Sequence, residues 1–563
     1  MAGEILTPSS IWSDIKIEEV PAIKVIGEYK EGNITLSRIR IDGRTVNDGT
    51  VKIYAVLAKK QIKKQAPAVF ILQKFTDGAD ETLAMDLAKR GFIAFVVNVG
   101  GDDGVNNNFT LYPASLSYAN YVQAKNDMEP RIDKDIKSTH WYEWGLTARY
   151  ALKYLKSLPE VSKVAGLGIA DSANVLWHMT VGQNFDCLAF VLNAGWQAYK
   201  HNYKFEGIVD QQFSDAQLNY LAGIEPQAYA NQINVPTMVL TASNNPDYDF
   251  ERAHDTYARI NEKINTCFYT SVGRRDCIDQ DGYEALIKFL NINLTSSTKS
   301  NSLVAKDPTV KCDVKNGKIV CSVWVEPSQL KDVCLYVAEE EYRPARRQWQ
   351  KLELEKIQEG EYSCSYLPYH KSKVAFFFVK AVYKNGYVID SDLVCKKFEE
   401  KEIESSHKSK IIYSSREENG SCAFYPAGEK VKKPYGIVIQ DNYLVEEKMG
   451  AMDITGVTCK SGLLSFRMTL EKYRPQDDGI LLMDAYLKYG GKLTVKLICD
   501  FYGYKREYLA HAKVNGGEVW HNVKLSLNNF KTAEGMALRT LKDIQAIEIN
   551  ADSEYLINNV LWV

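Results

Sequence analysis

Long apolar runs that alternate with amphipathic segments restrict the fold of this chain more than any other feature. Four runs in its first half are almost entirely apolar, as buried parallel strands are: residues 67–72, 92–98, 188–192 and 236–240. Helical spacing lies between them, from Asp80 to Arg90 and from Trp141 to Leu158. This alternation predicts an α/β fold with a doubly wound, mostly parallel sheet, in which functional groups gather at the carboxyl ends of the strands.

The segment from Lys163 to Asn174 predicts a strand, a sharp turn and a helix start at that edge. Small residues flank the turn in the stretch Gly168-Ile-Ala-Asp-Ser172, which has the spacing of a nucleophile elbow with Ala170 at its centre. A second register, centred on Ser172, would extend the strand by two residues and put Asn174 where glycine is usual. A third interpretation is an ordinary strand and helix start that Ser172 caps.

The order of these segments resembles the acetyl xylan esterase-like branch of the α/β-hydrolases, which is related to bacterial carbohydrate deacetylases. The resemblance covers about residues 5–295. It rests on five pieces in order: Pro67–Leu72, Ala88–Ala94, Tyr150–Glu160, the elbow segment and Val235–Pro246. It implies an α/β-hydrolase domain over residues 1–295 with a serine-esterase ancestry.

The resemblance also implies three positions for a catalytic triad, and the sequence departs from the pattern at each. Ala170 stands for the serine, Asn245 for the aspartate, and Arg274 or Arg275 for the histidine. A serine hydroxyl needs an adjacent base to become nucleophilic. His254, which is expected on a helix surface, is the only histidine between residues 202 and 369. The triad is therefore predicted to be degenerate.

An alternative interpretation keeps the chemistry at shifted positions. Ser172 and Asp247 each lie two residues beyond the standard positions, so they could form a catalytic pair. The protein would then be an active carbohydrate acetyl esterase. The loop Gln73–Gly78 lacks the His-Gly start that is usual beside an oxyanion hole, which favours the inactive interpretation.

Charged and aromatic residues near the predicted edge of the sheet indicate a binding site for an anionic ligand or a sugar. Arg274, Arg275 and Lys74 could hold an anionic ligand such as an acidic sugar or a phosphate, or could pair with neighbouring aspartates. A set of aromatic residues could line a sugar-stacking cleft or fill the core: Trp141, Tyr142, Trp144 and Trp177.

Short strands replace the helices after a Ser-rich linker at residues 295–302. Residues 303–398 are predicted to form a small β-sandwich, with strands near 309–314, 318–325, 333–337, 361–366 and 374–383. The pieces Arg347–Trp349 and Tyr387–Ser391 resemble the Ig-like module that follows some secreted hydrolases. The charged run from Lys396 to Lys410 is predicted to be a solvated linker.

The last region, residues 409–563, alternates strongly between apolar and polar residues. Strands are expected at 463–470, 493–499, 520–527, 544–550 and 555–562. Their order resembles a galactose-binding-like jelly roll, the architecture of many carbohydrate-binding modules. Tyr502 and Tyr504 are expected on one face of a strand, as a sugar-stacking platform or as a packing surface.

Composition excludes several other classes of protein. A net charge of -2 argues against a nucleic-acid binder. A length of 563 residues predicts three to four domains. No apolar run reaches about 18 residues and no signal peptide begins the sequence, so a cytoplasmic protein is expected, or a secreted one lacking its signal. The 11 cysteines lack metal-binding spacing, so no metal or cofactor is expected. They are expected to be thiols, although Cys312 and Cys321 could bridge.

The sequence as a whole predicts a carbohydrate-associated α/β-hydrolase homologue that binds a glycan, an acylated glycan or a protein partner. An active esterase and a structural scaffold are the alternatives. The oligomeric state is left open.

Overall fold

The structure is a computed structural model that describes residues 4–61, 65–101, 108–195, 212–295, 305–368, 374–399, 410–415, 423–428 and 444–563. The described residues divide into two compact units. The first contains the chain up to Asp307 together with Val382–Asp390, and the second contains the remainder. The finer division into three domains at residues 1–295, 303–398 and 409–563 stays a prediction.

A mixed nine-stranded sheet forms the centre of the first unit. Its strands are β1 (Ile23–Glu31), β2 (Ile34–Val46), β3 (Gly49–Lys60), β4 (Ala66–Leu72), β5 (Ile93–Asn98), β6 (Val161–Ile169), β7 (Cys187–Val191), β8 (Thr237–Ala242) and β9 (Thr266–Ser271). They lie in the order β1-β2-β3-β5-β4-β6-β7-β8-β9, and every pair from β5 to β9 is parallel. The carboxyl ends of β4 to β9 therefore share one edge.

Helices cover this sheet. They are α1 (Pro8–Trp12), α2 (Glu81–Lys89), α3 (Tyr121–Ala124), α4 (His140–Ser157), α5 (Ala173–His178), α6 (Asp215–Gly223), α7 (Phe250–Tyr257) and α8 (Gln280–Thr295). Side-chain oxygens of Asp80, Thr139 and Asp249 accept backbone N–H groups at the starts of α2, α4 and α7. These caps satisfy backbone N–H groups that have no partner within the first turn of a helix, and they therefore favour a helix start at these positions.

The predicted α/β architecture is confirmed in its coarse form, since a mixed, largely parallel sheet lies among helices in the first unit. The four apolar runs form β4, β5, β7 and β8, and the two helical patterns form α2 and α4. The antiparallel pairs β1–β2, β2–β3 and β3–β5 were not predicted. β1 is largely exposed even at its apolar residues Ile23, Val25 and Ile26, whereas β2 alternates between buried and half-buried residues over most of its length.

Antiparallel sheets make up the second unit. Its first strands are β10 (Thr309–Lys315), β11 (Lys318–Trp324), β12 (Leu330–Glu339), β13 (Gln350–Leu352), β14 (Glu355–Gln358), β15 (Glu361–Tyr366) and β16 (Val374–Tyr383). The next strand, β17 (Val388–Asp390), lies in the segment that belongs to the first unit, and β18 (Val394–Lys397) lies again in the second. One sheet has the order β10-β11-β15-β14, and another runs β13-β12-β16, with β18 also paired to β16. All five strands predicted between residues 309 and 383 are confirmed. Their arrangement as a sandwich stays a prediction.

The last strands are β19 (Ile411–Ser414), β20 (Tyr425–Pro426), β21 (Glu446–Met449), β22 (Thr455–Thr458), β23 (Leu463–Ser465), β24 (Ile480–Tyr486), β25 (Gly491–Cys499), β26 (Arg506–Val514), β27 (His521–Ser526), β28 (Ile544–Ala551) and β29 (Leu556–Trp562). They form the sheets β21-β22-β29-β24-β27, with β19 beside β29, and β20-β23-β28-β25-β26. One apolar core includes Met483 and Val560 of the first sheet and Val495 and Ile549 of the second.

The strand expected at 463–470 ends at Ser465, because a 3-10 turn occupies Arg467–Thr469. Most of the two predicted linkers, residues 296–302 and 400–409, lies outside the described residues. Within the described part of the chain, no helix combines the length and apolar character that a membrane crossing requires.

Candidate functional site

The turn after β6 has the geometry of an elbow centred on Ala170. Ala170 has a φ of +50°, a left-handed conformation that costs energy for any residue with a Cβ. A Cβ at Gly168 would lie 2.7 Å from Cα of Ala173, so only glycine allows α5 to start this close to β6. The sharp turn and its small flanking residue are both present, and Ala170 holds the strained position.

Ser172 lies at the start of the following helix instead. Its backbone is helical, with φ -72° and ψ -13°, and β6 ends at Ile169. The strand extension that the second register required is therefore wrong. Ser172 is completely buried, and its hydroxyl donates to the backbone carbonyl of Gln73 at the end of β4.

Asn245 and Asp247 follow β8 at the same edge. The side-chain oxygen of Asn245 accepts the backbone N–H groups of Asp247 and Tyr248, both at 2.9 Å, so it shapes this turn. Asp247 is exposed, yet desolvation by the surrounding protein raises the pKa of its carboxyl. The negative charge of Asp171 raises that pKa further, and Lys74 acts in the opposite direction. The structure thus brings the turn after β8 near the elbow.

The turn after β9 is bound directly to the turn after β8. The backbone N–H of Asn244 donates to the carbonyl of Arg274 at 2.9 Å, and the N–H of Gly273 donates to Oγ of Ser243 at 2.9 Å. Arg274 and Arg275 are both half-buried. The three positions that the resemblance assigned to a triad therefore follow β6, β8 and β9, whose carboxyl ends share one edge.

The described histidines of the first unit lie in its interior. His140 packs on Trp144 with ring centroids 4.6 Å apart, and desolvation lowers its pKa to about 3. Desolvation likewise lowers the pKa of His178 to about 4, and its Nε2 lies 2.8 Å from the carbonyl of Ile224. His254 lies on α7, as expected, but it is buried against Phe268, so its predicted surface position is wrong.

Three residues at this edge, Asp171, Tyr248 and Asn193, make contacts that the sequence did not predict. The hydroxyl of Tyr248 donates to Oδ1 of Asp171 at 2.6 Å, and burial raises the pKa of this phenol well above its ordinary value. The side-chain amide of Asn193, after β7, donates to the carbonyl of Ala170 at 3.1 Å. The position of Asp171 directly after the elbow could have drawn attention to it, whereas Tyr248 carries no local signal.

Three of the four aromatic residues predicted for a sugar-stacking cleft belong to the core, and the fourth, Tyr142, is half-buried and stacks on Trp12. Trp141, Trp144 and Trp177 are at most 2% exposed. Phe75, which follows the Gln73–Lys74 turn, packs on Trp144 with ring centroids 4.2 Å apart. The described geometry therefore does not open these rings as a sugar-stacking cleft.

Tyr502 and Tyr504 lie in the turn between β25 and β26, so the expectation of a shared strand face is wrong. Tyr502 stacks on Phe466 with centroids 6.0 Å apart, and its hydroxyl donates to the carbonyl of Ala345 at 3.1 Å. The guanidinium of Arg346 lies 5.6 Å from its ring. Tyr504 is 85% exposed, so its ring stays open to a ligand.

Comparisons with known proteins give only distant structural likenesses. No protein-family model and no curated protein matches the chain. Similar solved structures include an acetyl xylan esterase from Paenibacillus sp. R4, at 14% identity and a TM-score of 0.38, over 51% of this chain and 92% of that one. Acetyl xylan esterase 1 from a Thermoanaerobacterium species matches at 12% identity and a TM-score of 0.35, over 48% of this chain and 87% of that one.

A third similar structure is Est1E from Butyrivibrio proteoclasticus with bound ferulic acid. It matches at 12% identity and a TM-score of 0.31, over 43% of this chain and 96% of that one. All three TM-scores lie below 0.5.

Proposed function

We propose that the first unit is a noncatalytic α/β-hydrolase-like domain that binds a carbohydrate, free or acylated, at the carboxyl edge of its sheet without cleaving it. The left-handed backbone at Ala170 carries this proposal. In an elbow, the residue with this strained conformation presents its side chain to the substrate. A methyl group in that position has no lone pair with which to attack an ester carbonyl.

The other two triad positions support the same conclusion. An aspartate in a triad orients the histidine and stabilises the imidazolium through its charge, and the neutral amide of Asn245 supplies no charge. A guanidinium carries donors and no acceptor, so Arg274 has no site that could take a proton from a nucleophile.

The polar groups at the edge suit a sugar better than an anion. Asp171 and Asp247 present carboxylate oxygens that accept hydrogen bonds from sugar hydroxyls, and Lys74 can donate to a ring or ester oxygen. Tyr248 holds Asp171 in place through the 2.6 Å hydrogen bond. A phosphate would have to approach these two carboxylates, whose negative charges would repel it.

An active esterase built on Ser172 and Asp247 is the alternative. A nucleophilic hydroxyl must reach the substrate carbonyl, and the hydroxyl of Ser172 is buried and engaged with the carbonyl of Gln73. This contact supports a structural role for Ser172, so binding without hydrolysis is the function we favour.

Labelling with a fluorophosphonate probe, together with turnover of an acetyl ester, tests the absence of catalysis. We expect neither labelling nor turnover in the wild type or in Ser172→Ala. Labelling of the wild type that disappears in Ser172→Ala would overturn the proposal and establish the alternative.

Restoring the triad tests the assignment of its positions. The triple variant Ala170→Ser, Asn245→Asp, Arg274→His should gain fluorophosphonate labelling on the serine introduced at the elbow. The matched control keeps Ala170 and carries only the other two substitutions, and it should stay unlabelled. A correctly folded triple variant that stays unlabelled would argue against this assignment.

Calorimetric titration with acetylated and deacetylated oligosaccharides tests binding. Asp171→Asn should weaken binding at least tenfold, because a neutral amide accepts weaker hydrogen bonds than a carboxylate. The exposed Asp14→Asn should bind like the wild type. Equal affinities for all three proteins would place the ligand elsewhere.

A further inference from the structure

Three cysteines form a row across neighbouring strands of the β10-β11-β15-β14 sheet. Cys312 on β10 is directly opposite Cys321 on β11, and Cys321 is directly opposite Cys364 on β15. Residues paired in this way project from the same face of a sheet. The sulfur atoms of Cys312 and Cys321 lie 3.1 Å apart. The three thiols therefore form one row with Cys321 in the middle.

The hairpin turn decides which of the two pairs is better placed for a disulfide. Asn316 and Gly317, with φ of +52° and +74°, make a two-residue turn closed by the pair Lys315–Lys318. The pair beside such a turn is hydrogen-bonded, and the pairs alternate from there, so Cys312–Cys321 is a non-hydrogen-bonded pair. Side chains come closest in such pairs, with Cα atoms about 4.5 Å apart. Cys321 consequently forms a hydrogen-bonded pair with Cys364, whose Cα separation is about 5.5 Å.

The three cysteines differ in their exposure to solvent. Cys312 is 4% exposed and Cys321 is completely buried, whereas Cys364 is partly exposed. A soluble oxidant therefore reaches Cys364 first. The two thiols that are better placed for a bridge are the ones that the solvent does not reach.

We propose that Cys312, Cys321 and Cys364 form a redox site in which Cys364 accepts oxidation from a low-molecular-weight disulfide and passes it through Cys321 to the buried Cys312–Cys321 pair. In the first step the Cys364 thiolate attacks the external disulfide, which forms a mixed disulfide and releases one small thiol. Cys321 then attacks the sulfur of Cys364 and releases the second small thiol. Finally Cys312 attacks Cys321, which restores the Cys364 thiol.

The sequence of steps balances in atoms and electrons. Two protein thiols lose two electrons and two protons, and the external disulfide becomes two thiols. Each exchange needs the attacking, central and leaving sulfurs roughly in line. The row supplies this arrangement for the last step, because Cys312 and Cys364 lie on opposite sides of Cys321.

The exchange is expected to be slow at neutral pH. The hydrogen bond to Cys321, followed by burial, raises the pKa of the Cys364 thiol, and the hydrogen bond to Cys312 contributes most to raising the pKa of Cys321. Since the thiolate is the attacking form, neutral thiols react slowly. The oxidised fraction of the site would therefore follow slow changes in the ratio of disulfide to thiol around the protein, and it would not change within seconds.

Oxidised glutathione is the probe for the test, with the native full-length chain and disulfide mapping by mass spectrometry over a time course. In the wild type, a Cys312–Cys321 bridge should accumulate, preceded by a glutathione adduct on Cys364. In Cys364→Ser the same bridge should form at least tenfold more slowly. In Cys312→Ser, oxidation should stop at the disulfide between Cys321 and Cys364.

The matched control is Cys499→Ser, which removes a partly buried cysteine from β25 and should leave the rate unchanged. Circular dichroism and the melting temperature show whether each variant is folded, and Cys364→Ala provides a second replacement at the entry position. Equal rates in the wild type and in folded Cys364 variants would overturn the relay. Adducts on Cys364 without any bridge to Cys321 would overturn it as well.

Discussion

The hydroxyl of Ser172 donates to the backbone carbonyl of Gln73, and this contact joins the residue before α5 to the residue after β4. Both residues are buried, with Gln73 at 1% exposure. The contact fixes the loop that follows β4 relative to the elbow. It therefore gives the serine of this segment a structural role.

Removal of that hydroxyl should destabilise the fold. Ser172→Ala leaves the Gln73 carbonyl without this donor in a buried place, which costs about 1–3 kcal/mol. Chemical denaturation followed by tryptophan fluorescence measures the loss. Ser13→Ala is the control, because Ser13 is exposed and should change the free energy of unfolding by less than about 0.5 kcal/mol. A loss for Ser172→Ala no larger than for this control would contradict the role.

The left-handed backbone at Ala170 predicts an unusual response to glycine. Ala170→Gly relieves a steric cost of about 1–2 kcal/mol and should leave the free energy of unfolding unchanged or raise it by up to about 1 kcal/mol. Ala173→Gly, three residues later in helical backbone, should lower it by about 1 kcal/mol. Chemical denaturation of both variants and of the wild type measures these differences in the free energy of unfolding. Similar losses in both would mean that Ala170 is not strained.

The elbow should not tolerate a side chain at Gly168. An added Cβ would meet Cα of Ala173 at 2.7 Å and Cβ of Leu176 at 3.0 Å, so β6 and α5 would have to separate. We expect Gly168→Ala to cost about 1–3 kcal/mol. Gly27→Ala is the matched control, since its Cβ would meet only the flexible side chain of Arg38, at 3.5 Å. Thermal melts of the two variants should differ clearly, and equal melting temperatures would be inconsistent with the close approach.

Burial of His178 predicts a pH dependence of stability. Desolvation lowers its pKa from 6.5 to about 4 in the folded protein, so the unfolded chain binds a proton that the folded chain does not. The free energy of unfolding should therefore fall as the pH drops from about 6.5 to about 4, by about 3 kcal/mol in total. His178→Gln keeps an N–H donor for the carbonyl of Ile224 and removes the titration. Urea denaturation at several pH values should show a shallower decline in this variant, and parallel curves would refute the assignment.

The two tyrosines between β25 and β26 should differ in their effects. Tyr502→Phe removes the hydrogen bond to the carbonyl of Ala345 and should cost about 1 kcal/mol, whereas Tyr504→Phe should cost less than about 0.5 kcal/mol because Tyr504 is 85% exposed. Chemical denaturation distinguishes them. If the last region binds a glycan through an aromatic platform, only Tyr504→Ala should weaken binding while leaving stability intact. Loss of stability in Tyr504→Ala would show that its ring is packed.

Patterns local in sequence determined much of this protein. The apolar runs gave β4, β5, β7 and β8, because a parallel strand buried on both faces must be apolar throughout. The spacing of Gly168 and Ala170 located the elbow, because a sharp turn between a strand and a helix leaves little room for side chains. The register of β10 and β11 also follows from the Asn316-Gly317 turn.

Other features depended on contacts between distant residues, and only the tertiary structure decided them. β1 pairs with β2 along its whole length, yet it is exposed nearly throughout, so burial of its apolar residues does not explain the pairing. Tyr248 reaches Asp171 across 77 positions of sequence, and Ser172 reaches Gln73 across 99. Local sequence patterns predict whether a segment is buried and where a sharp turn lies. The partner of a hydroxyl is set by which strands and loops the fold brings together, and that depends on the whole sheet.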